Sequence, residues 1–313
     1  MRILVSACLA ACSLYGQAGK LAAPSLGFVF DPPAHALRRI QGIPGAALVG
    51  APVDFGFAVS AAYVAPRLDS VFVLAASDGR AHLFRLTADA PLELAVDSLG
   101  APLRLVFSPS GTAAALYSPG SVQVIKGLPD APAVSATISL RGNSPRGNAR
   151  PSRPLPFTLA ISDDGAYLLY GTGGPIELIG VAGNSRQIMA GALAAFAPGG
   201  HDAAVISSGK LILFQDIAGA ATERSFDGIE TPSAAAFSPD GQKLFVASAT
   251  GRAVTTIQVA TGDRSALACD CAPSALTPMG SVFRLNELGS EPLWLLDTAS
   301  ERGLVFVPAP AVN

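Results

Sequence analysis

Residues 233–248 decide the fold: Ser233-Ala234-Ala235-Ala236-Phe237-Ser238-Pro239-Asp240-Gly241-Gln242-Lys243-Leu244-Phe245-Val246-Ala247-Ser248. A run of small residues ends on an aromatic, a turn signal follows, and an apolar run returns. Pro presets φ at its turn position, Asp can hydrogen-bond nearby backbone, and Gly accepts the left-handed conformation. The Leu-Phe-Val-Ala run is continuously apolar, which suits a strand buried on both faces. Beyond the turn Thr250-Gly251-Arg252 lies Val254-Thr255-Thr256-Ile257-Gln258-Val259, and then a second turn at Thr261-Gly262-Asp263. Small residues ahead of the motif permit close approach, so they read as an inner strand packed between neighbours.

The pattern recurs along the chain. Copies stand at Phe107-Ser108-Pro109-Ser110-Gly111, Ile161-Ser162-Asp163-Asp164-Gly165 and Phe196-Ala197-Pro198-Gly199-Gly200. A weaker copy is Ala61-Ala62-Tyr63-Val64-Ala65-Pro66, and a degenerate last one begins at Ser274-Ala275-Leu276-Thr277-Pro278. The anchors at 63, 107, 161, 196, 237 and about 276 are separated by 44, 54, 35, 41 and about 39 residues. A four-stranded blade takes about 40–50 residues. The longest interval contains residues 141–156, which carry no apolar periodicity and read as an inserted loop. No segment has a long apolar stripe at helical spacing with caps, so little helix is expected.

The Ser-Pro-Asp-Gly turn, the Leu-Phe-Val-Ala strand and the following Thr-Gly turn resemble the bacterial WD40-like, YVTN-type and TolB-like β-propellers. The resemblance covers most of residues 55–310. It implies an all-β propeller of six or seven four-stranded blades. It does not fix a function, because such propellers serve as scaffolds, binders, hydrolase appendages and occasional enzymes. The Trp-Asp and Gly-His pairs of eukaryotic WD40 repeats are absent, so that subfamily's contact surfaces are not carried over. A propeller must also join its ends, since an open edge strand invites aggregation. Residues 26–31 and 36–40 read as the outer half of a blade. They are expected to pair with C-terminal strands at 281–285, 293–297 and 303–307.

Half of the 313 residues are apolar and 14% are charged, enough for a large core. Lys and Arg number 21 against 23 Asp and Glu, for a net charge of −2. That balance provides no basic face and argues against nucleic acid as a partner. Met1-Arg2 followed by apolar Ile3 to Ala11 reads as an export signal, and Gly16-Gln17-Ala18 places small residues for cleavage after Ala18. The domain reading is therefore a signal peptide at 1–18 and a single propeller at 19–313. An alternative is a lipoprotein signal, since Leu9-Ala10-Ala11-Cys12 resembles a lipobox with Cys12 as the lipidated residue. No transmembrane span is expected; the apolar stretch 43–65 is broken by Pro44, Pro52, Asp54 and glycines. The expected location is periplasmic or extracellular. The expected state is a monomer whose partner is an unidentified protein or envelope polymer.

The chemical signals are sparse. His35, His82 and His201 lie in different repeats without ligand spacing. No catalytic, cofactor-binding or metal-ligating residue is assigned, and no cofactor is expected. Asp78, Asp163, Asp164 and Asp240 read as turn formers. Cys269-Asp270-Cys271 allows a small, strained disulfide, with redox or metal roles as alternatives. Arg141, Arg146, Arg150 and Arg153 give the inserted loop four positive charges and make it a candidate partner contact. Trp294 could bind a ligand, but its apolar flanks say core. Lactonase-like propellers gather acidic and Asn side chains around the channel; Asp69, Asp202 and Glu287 are the acids that resemblance leaves open. The first functional reading is thus a non-catalytic exported scaffold. The others are a lactonase-like hydrolase with a channel metal site and a sensor tethered through Cys12.

Overall fold

The computed structural model describes residues 24–87, 90–140, 157–207, 209–300 and 303–310. Among these residues the regular elements are all β-strands, in seven antiparallel sheets. No helix among them is long and apolar enough to cross a membrane. The expected signal peptide at 1–18, with Cys12, and the inserted loop at 141–156 lie outside the described residues. Blade 1 has three strands, Ser25–Asp31, Ala36–Ile43 and Ala46–Pro52. Blades 2–7 have four each, and in every sheet the spatial order follows the chain. Their first strands are Val59–Val64, Arg104–Phe107, Phe157–Ile161, Leu193–Phe196, Ala234–Phe237 and Thr277–Met279.

The core is distributed over seven seams, one between each pair of neighbouring blades. Strand side chains alternate between faces, so one strand feeds two seams. In Ala113–Ser118, Ala114 and Leu116 pack against Phe72 and Leu83 of blade 2. Ala113 and Ala115 turn the other way, against Leu159, Ile161 and Leu168 of blade 4. All six residues of Ser70–Ala75 are buried, as continuous apolarity in a second strand requires.

The turn motif works through its serine. Ser238 Oγ accepts the Lys243 N–H (2.9 Å) and donates to Asp240 Oδ1 (2.5 Å), which also accepts the Gln242 N–H (3.0 Å). Ser162, Asp164, Tyr167 and Ala166 repeat the arrangement in blade 4. Gly241 and Gly165 close these turns at φ of +71° and +61°, where a side chain would be strained. Asp164 and Asp240 are therefore turn formers, as the sequence suggested. Asp163 does more. It stands where the other copies carry Pro, and its carboxylate spans three blades. Oδ1 accepts the Ser110 N–H of blade 3 (2.7 Å), and Oδ2 accepts the Gly199 N–H of blade 5 (2.8 Å). Its carbonyl also accepts from Thr112 Oγ1 (2.7 Å).

The N-terminal reading needs correction. Residues 25–31 form an inner strand, and the strands at 25–52 make a blade of their own. The seventh repeat was hidden because Phe30-Asp31-Pro32 replaces Ser by Asp. Asp31, 6% exposed, stands in the serine's place but bonds differently: it accepts the Ala34 N–H (3.3 Å), three residues on, and the Arg38 Nε–H (2.6 Å). The N-terminal strands do meet the C-terminal blade, yet among the described residues no ladder joins the two sheets. The ring closes by packing: Leu26, Val29, Ile40 and Ala47 meet Met279, Val282, Leu293 and Val307. Closure by burial is possible because blade 1 supplies its own inner strand, so no donated strand is needed. Blade 7 departs from the motif as well. Pro278 sits within its inner strand, and Gly280 at φ +63° makes the turn.

Candidate functional site

The seven inner strands surround a channel of about 870 Å³. Ligand cavities typically hold about 300–1,000 Å³. Small residues make the space: Ala61, Ala160, Ala194, Ala195, Ala235 and Ala236 all face it. The charged lining comes from Arg67, Arg104, Arg284 and Glu287. Arg284 Nη1 donates to Glu287 Oε2 at 2.5 Å, with the arginine largely enclosed and the carboxylate side chain 60% exposed. Arg284 also reaches Thr277 Oγ1 at 3.4 Å across the strand pair. Arg104 lies over the Phe157 ring, 5.8 Å from its centroid. Tyr63 lies within electrostatic reach of both Arg104 and Glu287. Burial pushes its phenol above the usual value; the Arg104 charge pulls against this and the Glu287 charge adds to it. Tyr63 is therefore a protonated donor at neutral pH. Arg67 is paired with Asp69 (2.8 Å) beside the turn after the blade 2 inner strand.

Among the described residues this lining has one carboxylate, already held by an arginine. Among the described residues no group of three or more His, Cys, Asp and Glu side chains comes together. The donor set does not fit the channel metal site that the lactonase resemblance suggested. Of the three acids left open, only Glu287 lines the channel. Asp202 accepts the Asp216 N–H (2.8 Å) within blade 5.

The histidines are dispersed, as their spacing indicated. His82 Nδ1 pairs with Glu93 Oε1 (2.8 Å) across neighbouring strands and leans on Phe57. His35 is exposed in a turn at φ +49°. His201 Nε2 bonds Asp164 Oδ2 (3.0 Å) between blades 4 and 5 and meets Tyr167 edge-on. A second hollow of about 710 Å³ beside these turns has Asp163, Asp164, Asp240 and His201 in its lining, and each of those carboxylates already serves a turn or a blade contact. Cys269 and Cys271 are joined as a disulfide, buried in the seam between blades 6 and 7. Trp294 packs into the same seam and meets the Phe306 ring at a tilt, 5.5 Å between centroids. Arg141, Arg146, Arg150 and Arg153 lie outside the described residues.

Sequence reasoning missed Tyr63, Arg104 and Arg284. A signal existed for Arg104: it opens an inner strand whose counterparts in blades 5 and 6 are Leu193 and Ala234. A charge at that point must face either a seam or the channel, and only the channel can hydrate it.

No known protein-family profile matches the chain, and no curated protein matches it. Solved structures do. The periplasmic gluconolactonase of Pseudomonas aeruginosa superposes with a TM-score of 0.60 at 17% identity, covering 92% of this chain and 97% of that one. A candidate 6-phosphogluconolactonase from Bacteroides uniformis gives 0.60 at 16%, covering 92% and 97%. Another from Bacteroides fragilis gives 0.58 at 19%, covering 91% and 95%. At these identities the likeness establishes the propeller fold. It also corrects the first functional reading, that of a non-catalytic scaffold: a gluconolactonase and two candidate 6-phosphogluconolactonases superpose on this chain nearly end to end.

Proposed function

We propose that the chain is a lactonase-like propeller hydrolase acting in its central channel without a metal. The observation that carries this reading is the Arg284–Glu287 pair, with Tyr63 and Arg104 in reach, in a channel whose remaining lining, Arg67 and a few hydroxyls apart, is small and apolar. In lactone hydrolysis a water oxygen bonds to the carbonyl carbon, and a base takes the water proton. The carbonyl oxygen becomes an oxyanion; its electron pair then returns and expels the ring oxygen, which takes the proton. The product is an open hydroxy acid, and its carboxyl proton is lost to water. Glu287 is the base, and Arg284 holds its carboxylate. Arg104 and the protonated Tyr63 are donors for the oxyanion, worth most where water is scarce.

The likeness to a periplasmic gluconolactonase supports an exported location, as does the signal read at residues 1–18. Cleavage after Ala18 leaves one propeller domain with an insertion at 141–156; lipidation at Cys12 would tether the same domain. The repeat is of the YVTN or TolB type.

The test is a pH-stat assay of the purified chain on a panel of δ- and γ-lactones. We expect hydrolysis above the spontaneous rate that survives chelation, and a loss of at least 100-fold in Glu287→Gln. A rate equal in Glu287→Gln and parent protein refutes the assignment.

A further inference from the structure

The channel is chemically two-sided. Its charged and polar side chains, Ser238 apart, come from blades 2, 3 and 7, among them Tyr63, Arg104, Thr277, Arg284 and Glu287. The inner strands of blades 4, 5 and 6 offer only apolar side chains along their lengths, among them Leu159, Ala160, Ala194, Ala195, Ala235 and Ala236. Ser238 stands at the end of that wall, but its hydroxyl is committed to Asp240 and Lys243 within its own turn. Free edges of inner strands present backbone groups on both sides alike, so the difference between the walls is one of side chains.

A polyhydroxylated sugar ring in such a channel would turn several hydroxyls toward blades 4–6, where no described side chain is free to pair with them. Unpaired polar groups on desolvation are costly. An apolar substituent has the opposite preference: it gains from that wall and leaves the polar wall to the reacting ester. The cationic balance of the polar wall, with Arg104 and Arg284 against Glu287, also suits an ester oxygen developing negative charge and a carboxylate product.

From this we infer that the substrate is an amphiphilic lactone, a ring ester bearing an alkyl or acyl chain, rather than a sugar lactone. The inference rests on the hydrolase reading for its reaction but not for its ligand. The ring ester lies against blades 2, 3 and 7, and the chain lies along blades 4–6.

The experiment compares γ-butyrolactone, γ-octalactone, γ-decalactone and gluconolactone, alongside displacement of anilinonaphthalene sulfonate by decanoate. The expected result is a kcat/KM rising about three- to four-fold per added methylene until the channel is full, the preference of one buried methylene. Gluconolactone should trail γ-decalactone by at least tenfold. Ala195→Asp and Ala235→Asn, each checked for a parent-like melt, should weaken decanoate binding at least tenfold. Gluconolactone hydrolysed as well as γ-decalactone overturns this inference and leaves the hydrolase reading standing. Decanoate binding that the wall variants weaken, without hydrolysis of any lactone, upholds the ligand class and removes the hydrolase reading. Neither hydrolysis nor decanoate binding overturns both.

Discussion

Replacing Asp163 by Pro separates two accounts of one residue. If Asp163 only shaped its turn, Asp163→Pro would restore the Ser-Pro-Asp-Gly consensus. Fixing φ in a compatible turn adds about 0.4–1 kcal/mol of stability through the unfolded chain. The structure says otherwise, because the carboxylate accepts N–H bonds from Ser110 at 2.7 Å and Gly199 at 2.8 Å, on the blades to either side. A hydrogen bond to a charged group contributes about 1.5–3 kcal/mol. The residue is partly exposed beside an open hollow, so water can reach the freed N–H groups, and the lower end of that range applies. Losing both bonds then costs about 3 kcal/mol, and the proline offsets less than 1 of it. At about 2.1 cal/mol/K per residue the unfolding entropy of this domain is about 0.6 kcal/mol/K, so a net loss of about 2 kcal/mol lowers Tm by about 3–4 °C. Asp163→Asn should fall as well, since its amide oxygen can serve one N–H while its NH₂ faces the other. Circular dichroism melts of parent, Asp163→Pro and Asp163→Asn decide the matter. A Tm for Asp163→Pro above the parent's refutes a stabilising role for the Asp163 bonds to Ser110 and Gly199.

Other expectations follow from the seams and turns. Gly27 lies at φ +155°, and a Cβ there would stand 2.1 Å from Met279 Cγ, so Gly27→Ala should open the last seam, lower Tm and promote aggregation, with Met279→Ala giving partial rescue; light scattering during the melt reads both. Burial pushes the Asp164 carboxyl up, but bonds from Ser162, the Ala166 N–H and His201, with the His201 charge, outweigh it and hold the group below its ordinary value. Its stabilising effect is therefore full above the ordinary carboxylate range and is lost as pH falls through the lowered folded value. Melts taken between pH 6 and 3 should show a smaller acid loss in Asp164→Asn than in the parent. Cys269 and Cys271 are 4% and 7% exposed, so alkylation of the folded, unreduced chain should leave both unlabelled, and each should gain one label only after denaturation with reductant. Labelling of the folded chain without reductant would count against the disulfide.

Much of the architecture was legible because propeller blades are local. Each is a meander whose strands are joined by short turns, so Phe237-Ser238-Pro239-Asp240-Gly241 carries its own fold instructions within a few residues. Six repeats could be found that way. The seventh, at Phe30-Asp31-Pro32, was not, because Asp31 holds its turn through the Ala34 N–H and Arg38 instead of through the serine pattern, and shares no letter with serine. Pro278 misled for the complementary reason: the letter matched, but the turn lay at Gly280.

The channel chemistry belongs to the tertiary structure. Glu287 lies more than a hundred residues along the chain from Tyr63 and Arg104, and only ring closure brings blades 2, 3 and 7 around one space. The same holds for Asp163, whose two bonds reach 53 residues back and 36 forward. The sequence by itself determined the strands, the turns and the repeating blade, because those depend on neighbours in the chain. Which seam each side chain fills, how the described strands of the first and last blades meet by packing, and which charges face one another across the channel were decided by the closed ring, because those energies depend on groups that become neighbours only after folding.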